Sequence, residues 1–104
     1  MTLARTLFVL VSAALLEVGG DALIRRGLHQ RPLLFLLLGG ILLFAYGVLV
    51  NQGGVPFGRL LGSYIAVFFV VSQMIAVLVF RDTLGWQTLA GGTLIVAGGI
   101  VLLL

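Results

Sequence analysis

Two carboxylates, Glu17 and Asp21, stand four residues apart in a stretch from Thr6 to Ile24 that is otherwise almost wholly apolar or small. On a helix this spacing puts both on one face, about one turn apart. An acidic side chain at bilayer depth costs about 2.5–3.5 kcal/mol on insertion scales, so one that is kept there is expected to serve a ligand. Glu17, near the middle of the run, is suited to binding a cation, a proton, or each in turn. A second acid one turn away makes the two titrate as a coupled unit. Ala13, Ala14 and Gly20 lie near the same stripe and leave room for a ligand or for close helix approach. The competing reading pairs Glu17 with an arginine that holds the bundle together. Asp21 also has two readings. It precedes Arg25 by four residues, the spacing of an interfacial salt bridge, and it stands where it would attract cations to a cavity mouth.

Other polar groups recur further along. Arg59, Ser63 and Gln73 fall near one stripe of a later apolar run. They form either a polar seam facing a cavity, or a snorkelling arginine with two groups that bond neighbouring helices. Tyr46 and Tyr64 place phenols inside apolar runs. An aromatic face stabilises an organic cation by roughly 0.5–2 kcal/mol, and aromatic residues are also common filler in such helices. Tyr64 is read as a cavity residue, and Tyr46 is open between the two roles. Trp86 begins a run and reads as an interface anchor. His29 has no His or Cys near it in the sequence, so no metal site is expected. No nucleophile–base set is visible, and neither an enzyme nor a cofactor is expected.

The elements that must position these groups follow from composition. The chain has 104 residues, 62% hydrophobic and 9% charged, with a mean hydropathy of +1.30. A soluble domain of this length needs far more charge to cover its surface. The chain lacks cysteine, which rules out disulfides and thiolate metal sites. The pI of 10.7 comes from six arginines set against three acids. These arginines sit at the ends of apolar runs, a membrane-flank pattern rather than a nucleic-acid-binding face. The N-terminal run does not read as a removable signal peptide.

Four apolar segments are expected to form helices over about residues 3–25, 32–51, 57–80 and 85–104. Arg25-Arg26, Gly53-Gly54-Val55-Pro56 and Arg81-Asp82 punctuate them, and Pro32 suits a first helical turn. About 20 helical residues span a hydrocarbon core of about 30 Å. Continuous apolar runs without period-two alternation exclude a β-barrel. The connections are short, so sequential helices are antiparallel. The expected fold is therefore an all-α membrane protein, a single domain over residues 1–104 built as a four-helix transmembrane bundle.

Four helices in contact leave little interior, and Glu17 needs protein or water around it. An oligomer follows, most simply a dimer with Glu17 of each copy facing a shared cavity. Segment four carries Gly91 and Gly98 seven residues apart, and Gly92 and Gly99 likewise, with Leu94 and Ile95 between them. These six residues are expected to form the dimer contact. Gly39, Gly40 and Gly47 suit helix contact in segment two. Arg25, Arg26, Arg31 and Arg81 flank the first and third connections, against Arg5 and Arg59 on the other side. That bias puts both termini outside the cell, and it is small enough to allow insertion in both orientations.

Together these residues resemble the small multidrug resistance transporters, half-size members of the drug/metabolite transporter group. The resemblance covers nearly the whole chain. It is carried by Glu17-Val18-x-Gly20 followed by Arg25, by Pro56-x-Gly58, and by Gly91-x-x-Leu94-Ile95-x-Ala97-Gly98. Gly58-Arg59 followed by Tyr64 is similar to the YnfA-type branch. The resemblance implies an antiparallel dimer in the inner membrane that exchanges protons for organic cations. It implies that Glu17 of both copies takes proton and substrate in competition, and that Tyr64 flanks the substrate. The chain departs from the best-studied branches at Asp21, at Arg59, and at Ala66-Val67-Phe68, where those branches have a glycine-bearing bend.

Two functions are thus expected from the sequence. One is proton-coupled export of quaternary ammonium or guanidinium-type cations, with Glu17, Asp21, Tyr46, Arg59, Ser63 and Tyr64 around the site. The partners are then lipid, protons, the cation and a second copy or paired homologue, and not nucleic acid. The other is a non-transporting or lipid-flippase-like subunit in which Glu17 and Arg59 form a structural pair.

Overall fold

The computed structural model describes residues 2–30 and 32–104. Arg31, counted above among the loop arginines, lies outside them. The described residues form four α-helices: α1 (Leu3–Gln30), α2 (Leu33–Val50), α3 (Phe57–Leu78) and α4 (Trp86–Leu103). All four are long and apolar enough to cross a membrane.

The segment boundaries hold to within two residues except at the end of α1. That helix runs on through Arg25 and Arg26 to Gln30, giving 28 residues and a length of about 42 Å. Charge does not terminate a helix; a proline does, and none occurs before Pro32. Gly27 also gains packing by staying helical, because it lies against Leu36 of α2. His29 therefore sits in the last helical turn of α1, where a connection was expected. At the end of α2 the Gly47 carbonyl accepts from both the backbone N–H and the side-chain amide of Asn51, the latter at 2.9 Å.

The chain divides into two compact units, one ending at Gly53 and one spanning Gly54–Leu104. In the first, α1 packs on α2. In the second, α3 packs on α4. Both pairs are antiparallel: Gly20 lies by Leu43 while Gly27 lies by Leu36, and Gly99 lies by Ala66 while Gly92 lies by Phe69. The buried positions of α1 are Leu10, Ala13, Ala14, Val18, Gly20 and Gly27, nearly all small. Large apolar side chains point outward instead, with Phe44 and Leu94 each 76% exposed. Lipid tails, not water, suit such a surface.

Three residues beyond the end of α3 stands a strained residue. Arg81 has φ 58°, and beyond it the Asp82 N–H returns to the Ala76 carbonyl at 3.0 Å. The left-handed region costs a non-glycine residue roughly 1–2 kcal/mol. Arg81→Gly is expected to raise the free energy of unfolding in detergent by about 0.5–1 kcal/mol. A fall in stability would show that contacts of the arginine outweigh the strain.

Candidate functional site

The site is built on the contact between α1 and α2. A methyl group placed on Gly20 would come within 2.9 Å of both the Gly39 carbonyl oxygen and Leu43 Cγ. One on Gly39 would meet Ile24 Cγ1 at 2.6 Å and the Gly20 carbonyl oxygen at 2.7 Å. One on Gly27 would meet Leu36 Cγ at 2.9 Å. The two backbones can approach this closely because both strips are glycine. The pairings Gly20–Leu43, Ile24–Gly39 and Gly27–Leu36 share one antiparallel register. One turn back along α1 from Gly20 is Glu17, and one turn on along α2 from Leu43 is Tyr46.

Tyr46 is the one side chain in α2 with a polar atom. Its phenol lies within electrostatic reach of both Glu17 and Asp21. Glu17 and Tyr46 are half-buried, and Asp21 is exposed. The first unit therefore brings together two carboxylates and a phenol on facing helices, beside the buried small residues Ala13, Ala14 and Gly20. Such a group can hold a proton on carboxylate oxygen. It can also accept hydrogen bonds from a cation and offer an aromatic face to it.

The remaining expected site residues lie in the second unit. Tyr64 is 3% exposed, and its ring packs beside Phe68 with centroids 6.0 Å apart and planes at 44°. Ser63 is 4% exposed, and its hydroxyl lies 3.0 Å from the carbonyls of both Arg59 and Leu60 on its own helix. Its polarity is thus satisfied inside α3, as membrane burial demands. Arg59 Nε donates to the Leu102 carbonyl at 2.8 Å. Leu102 is in the last turn of α4, where carbonyls lack helical partners and the helix end favours positive charge. Gln73 borders an apolar groove of about 800 Å³ between α3 and α4. Arg59→Ala is expected to destabilise the protein by about 1–2 kcal/mol, read as a lower unfolding midpoint, with lysine recovering part of the loss. Loss of cation binding at unchanged stability would instead assign Arg59 to the ligand.

The α4 glycines split between two faces. A methyl group on Gly92 would collide with the Phe69 ring, and one on Gly99 with Ala66, so these two serve contact with α3 inside the chain. A methyl group on Gly91 or Gly98 would meet nothing within 4 Å among the described residues, and Leu94 and Ile95 are exposed. The six residues expected to act as one dimer stripe thus do not share one face, because Gly92 and Gly99 are taken up by the contact with α3. Among the described residues, no three His, Asp or Glu side chains gather where they could hold a metal ion.

Residues 3–104 match the family model described as "Uncharacterised BCR, YnfA/UPF0060 family". The chain belongs to that family. Among YnfA/UPF0060 relatives, it is 32% identical over 100 residues to the UPF0060 membrane protein SAR2425 of Staphylococcus aureus strain MRSA252, covering 94% of this chain and 93% of the relative. The UPF0060 membrane protein SA2130 of strain N315 matches with the same identity and coverage. No solved structure matches the chain significantly. With four spanning-length helices and relatives named as membrane proteins, this YnfA/UPF0060 member is a multi-pass membrane protein.

Of the α2 glycines expected to make helix contacts in this YnfA/UPF0060 chain, Gly39 does so, whereas a methyl group on Gly40 or Gly47 would meet nothing within 4 Å among the described residues; Gly27, close against Leu36, is not singled out by its sequence context. A signal existed for Tyr46. Glu17 is fourteen residues before position 31 and Tyr46 is fourteen after Pro32, so a tight hairpin turning there sets them opposite each other.

Proposed function

We propose that this protein is a proton-coupled exporter of small organic cations, working as an antiparallel dimer of identical or related chains in the cell's inner membrane. The observation that carries this reading is the placement of Glu17. It is a half-buried carboxylate inside a membrane-length helix, facing the one polar side chain of α2. A carboxylate there is expensive unless it is used. The resemblance to small multidrug resistance transporters gives the same residue the role of shared proton and substrate site.

Exchange needs two conditions. Glu17 must not hold proton and cation together, and the empty ionised site must not reorient freely. The first follows from charge: protonation removes the negative charge that attracts the cation. The second follows from the cost of moving a bare carboxylate through a low-dielectric interior. The chain moves its ligand without making or breaking covalent bonds, and no cofactor takes part. A dimer is supported by the α4 face bearing Gly91, Leu94, Ile95 and Gly98, which makes no close glycine contact inside the chain. Arg25, Arg26 and Arg81 flanking the first and third connections favour placing those ends in the cytoplasm and both termini outside.

The test is a binding titration of purified protein with two probes, phenylguanidinium and an aromatic quaternary ammonium, between about pH 5 and about pH 9. If proton and cation compete for one site, affinity rises up to tenfold per pH unit and then levels. Cation addition releases protons on the rising limb. Affinity that is flat across the range would sink the competition model.

A further inference from the structure

Resting on the reading of Glu17 just given, we infer that Tyr46 is a positioning residue for that carboxylate: its hydroxyl donates a hydrogen bond to ionised Glu17 and so sets the balance between proton and cation. Three observations lead here. The α1–α2 register, fixed by the close approaches at Gly20, Gly27 and Gly39, brings position 46 opposite position 17. Both acidic side chains of α1 act electrostatically on the Tyr46 phenol. No other side chain from Leu33 to Val50 can donate or accept a hydrogen bond.

The charged groups of the first unit that face Tyr46 are few. On α1 they are Glu17 and Asp21, with Arg25 one turn beyond Asp21. On α2 there are none. A neutral phenol beside a carboxylate donates to it, because the ionised carboxylate is an acceptor only. The bond is strongest to the ionised form and weakens once the carboxyl is protonated. Tyr46 thus favours the empty, charged state that is ready for a cation. The half-buried setting matters, since the same bond in water would exchange freely with solvent.

The experiment compares wild type with Tyr46→Phe, which keeps the ring and removes the hydroxyl. Cation affinity is followed against pH with phenylguanidinium. The midpoint of the pH profile is expected to move about one unit toward alkaline pH, with the alkaline plateau affinity changed less than about threefold. The shift is expected to persist in an Asp21→Asn background. A midpoint that stays put overturns the inference, even if the phenylalanine variant is less stable. So does a shift that vanishes with Asp21→Asn, which would give the hydroxyl to Asp21. The two readings separate cleanly: a flat wild-type profile sinks proton–cation competition itself, whereas a normal wild-type profile unmoved by Tyr46→Phe sinks only the role of Tyr46.

A second measurement covers the case in which the phenylalanine variant fails to fold. In protein with ring-¹³C tyrosine, the infrared phenol C–O band reports hydroxyl donation. Part of that band is expected to change as pH falls through the binding midpoint, and Glu17→Gln is expected to abolish the change. A pH-independent band, or a change that survives Glu17→Gln, overturns the proposal.

Discussion

Glu17→Gln is expected to eliminate cation-driven proton release while leaving a folded, helical protein. Glutamine has nearly the volume of glutamate and keeps one acceptor oxygen, but it trades the other for an NH2 donor and cannot ionise. The variant therefore lacks the charge that draws the cation and the proton that the cation displaces. Binding of phenylguanidinium should weaken by about 100-fold, close to 2.7 kcal/mol, the scale of a lost charge-assisted contact in a poorly solvated site. Proton release, measured in weakly buffered detergent solution, should fall to the level of a blank titration. Uptake by proteoliposomes under a pH gradient should fall with it. Glu17→Asp retains the charge on a shorter stem and should keep release, at altered affinity. Undiminished proton release in Glu17→Gln would remove Glu17 from the coupling site. Release lost in both variants alike would point to a steric rather than an ionic role.

Gly39→Ala should be the most damaging single-methyl change in the first unit. The added carbon would lie 2.7 Å from the Gly20 carbonyl oxygen and 2.6 Å from Ile24 Cγ1. A side chain such as Ile24 can rotate away, but a backbone oxygen held in a helix cannot. Alanine gains about 1 kcal/mol of helix propensity over glycine, and overpacking of this kind costs roughly 1–3 kcal/mol. The net expectation is a loss of up to about 2 kcal/mol, read as a lower midpoint of denaturant-induced unfolding in mixed micelles. Gly40→Ala is the matched control. Nothing lies within 4 Å of its added carbon, so the propensity gain stands alone and stability should hold or rise. Equal effects at both positions would show that backbone approach does not set the α1–α2 spacing. Because that spacing also sets the distance between Glu17 and Tyr46, Gly39→Ala should disturb the pH profile of cation binding as well.

Much of this was legible in the sequence, for identifiable reasons. The four spans stand out because membrane helices are written as long apolar runs, and the short connections force antiparallel neighbours. Glu17 stands out because charge inside such a run is rare. What composition does not reveal is which face of each helix meets which neighbour. Gly91 and Gly92 are adjacent, so they point about 100° apart, and only one of them reaches α3. Reading them as one stripe merged an internal contact with an outward face. Ser63 and Gln73 seemed equivalent on a helical wheel. In the fold Ser63 is closed onto its own helix and buried, while Gln73 edges a groove. The extension of α1 was missed because two arginines look like a boundary, although nothing in their chemistry stops a helix.

The two hairpins are indexed by different devices. In α1–α2 a backbone oxygen sits where a neighbouring methyl group would need to be, so the helices engage like teeth at a single pitch. In α3–α4 the hydroxyls of Ser63, Ser72 and Thr93 all turn back onto carbonyls of their own helices. Those groups therefore impose no registry on whatever lies beside them. Registry within that hairpin comes instead from the Arg59 guanidinium donating to the Leu102 carbonyl, and from Gly92 and Gly99 seated against Phe69 and Ala66. A neighbour resting against Ser72 or Thr93 would therefore have no hydroxyl hydrogen bond to break as it shifted, and shape alone would decide where it stops.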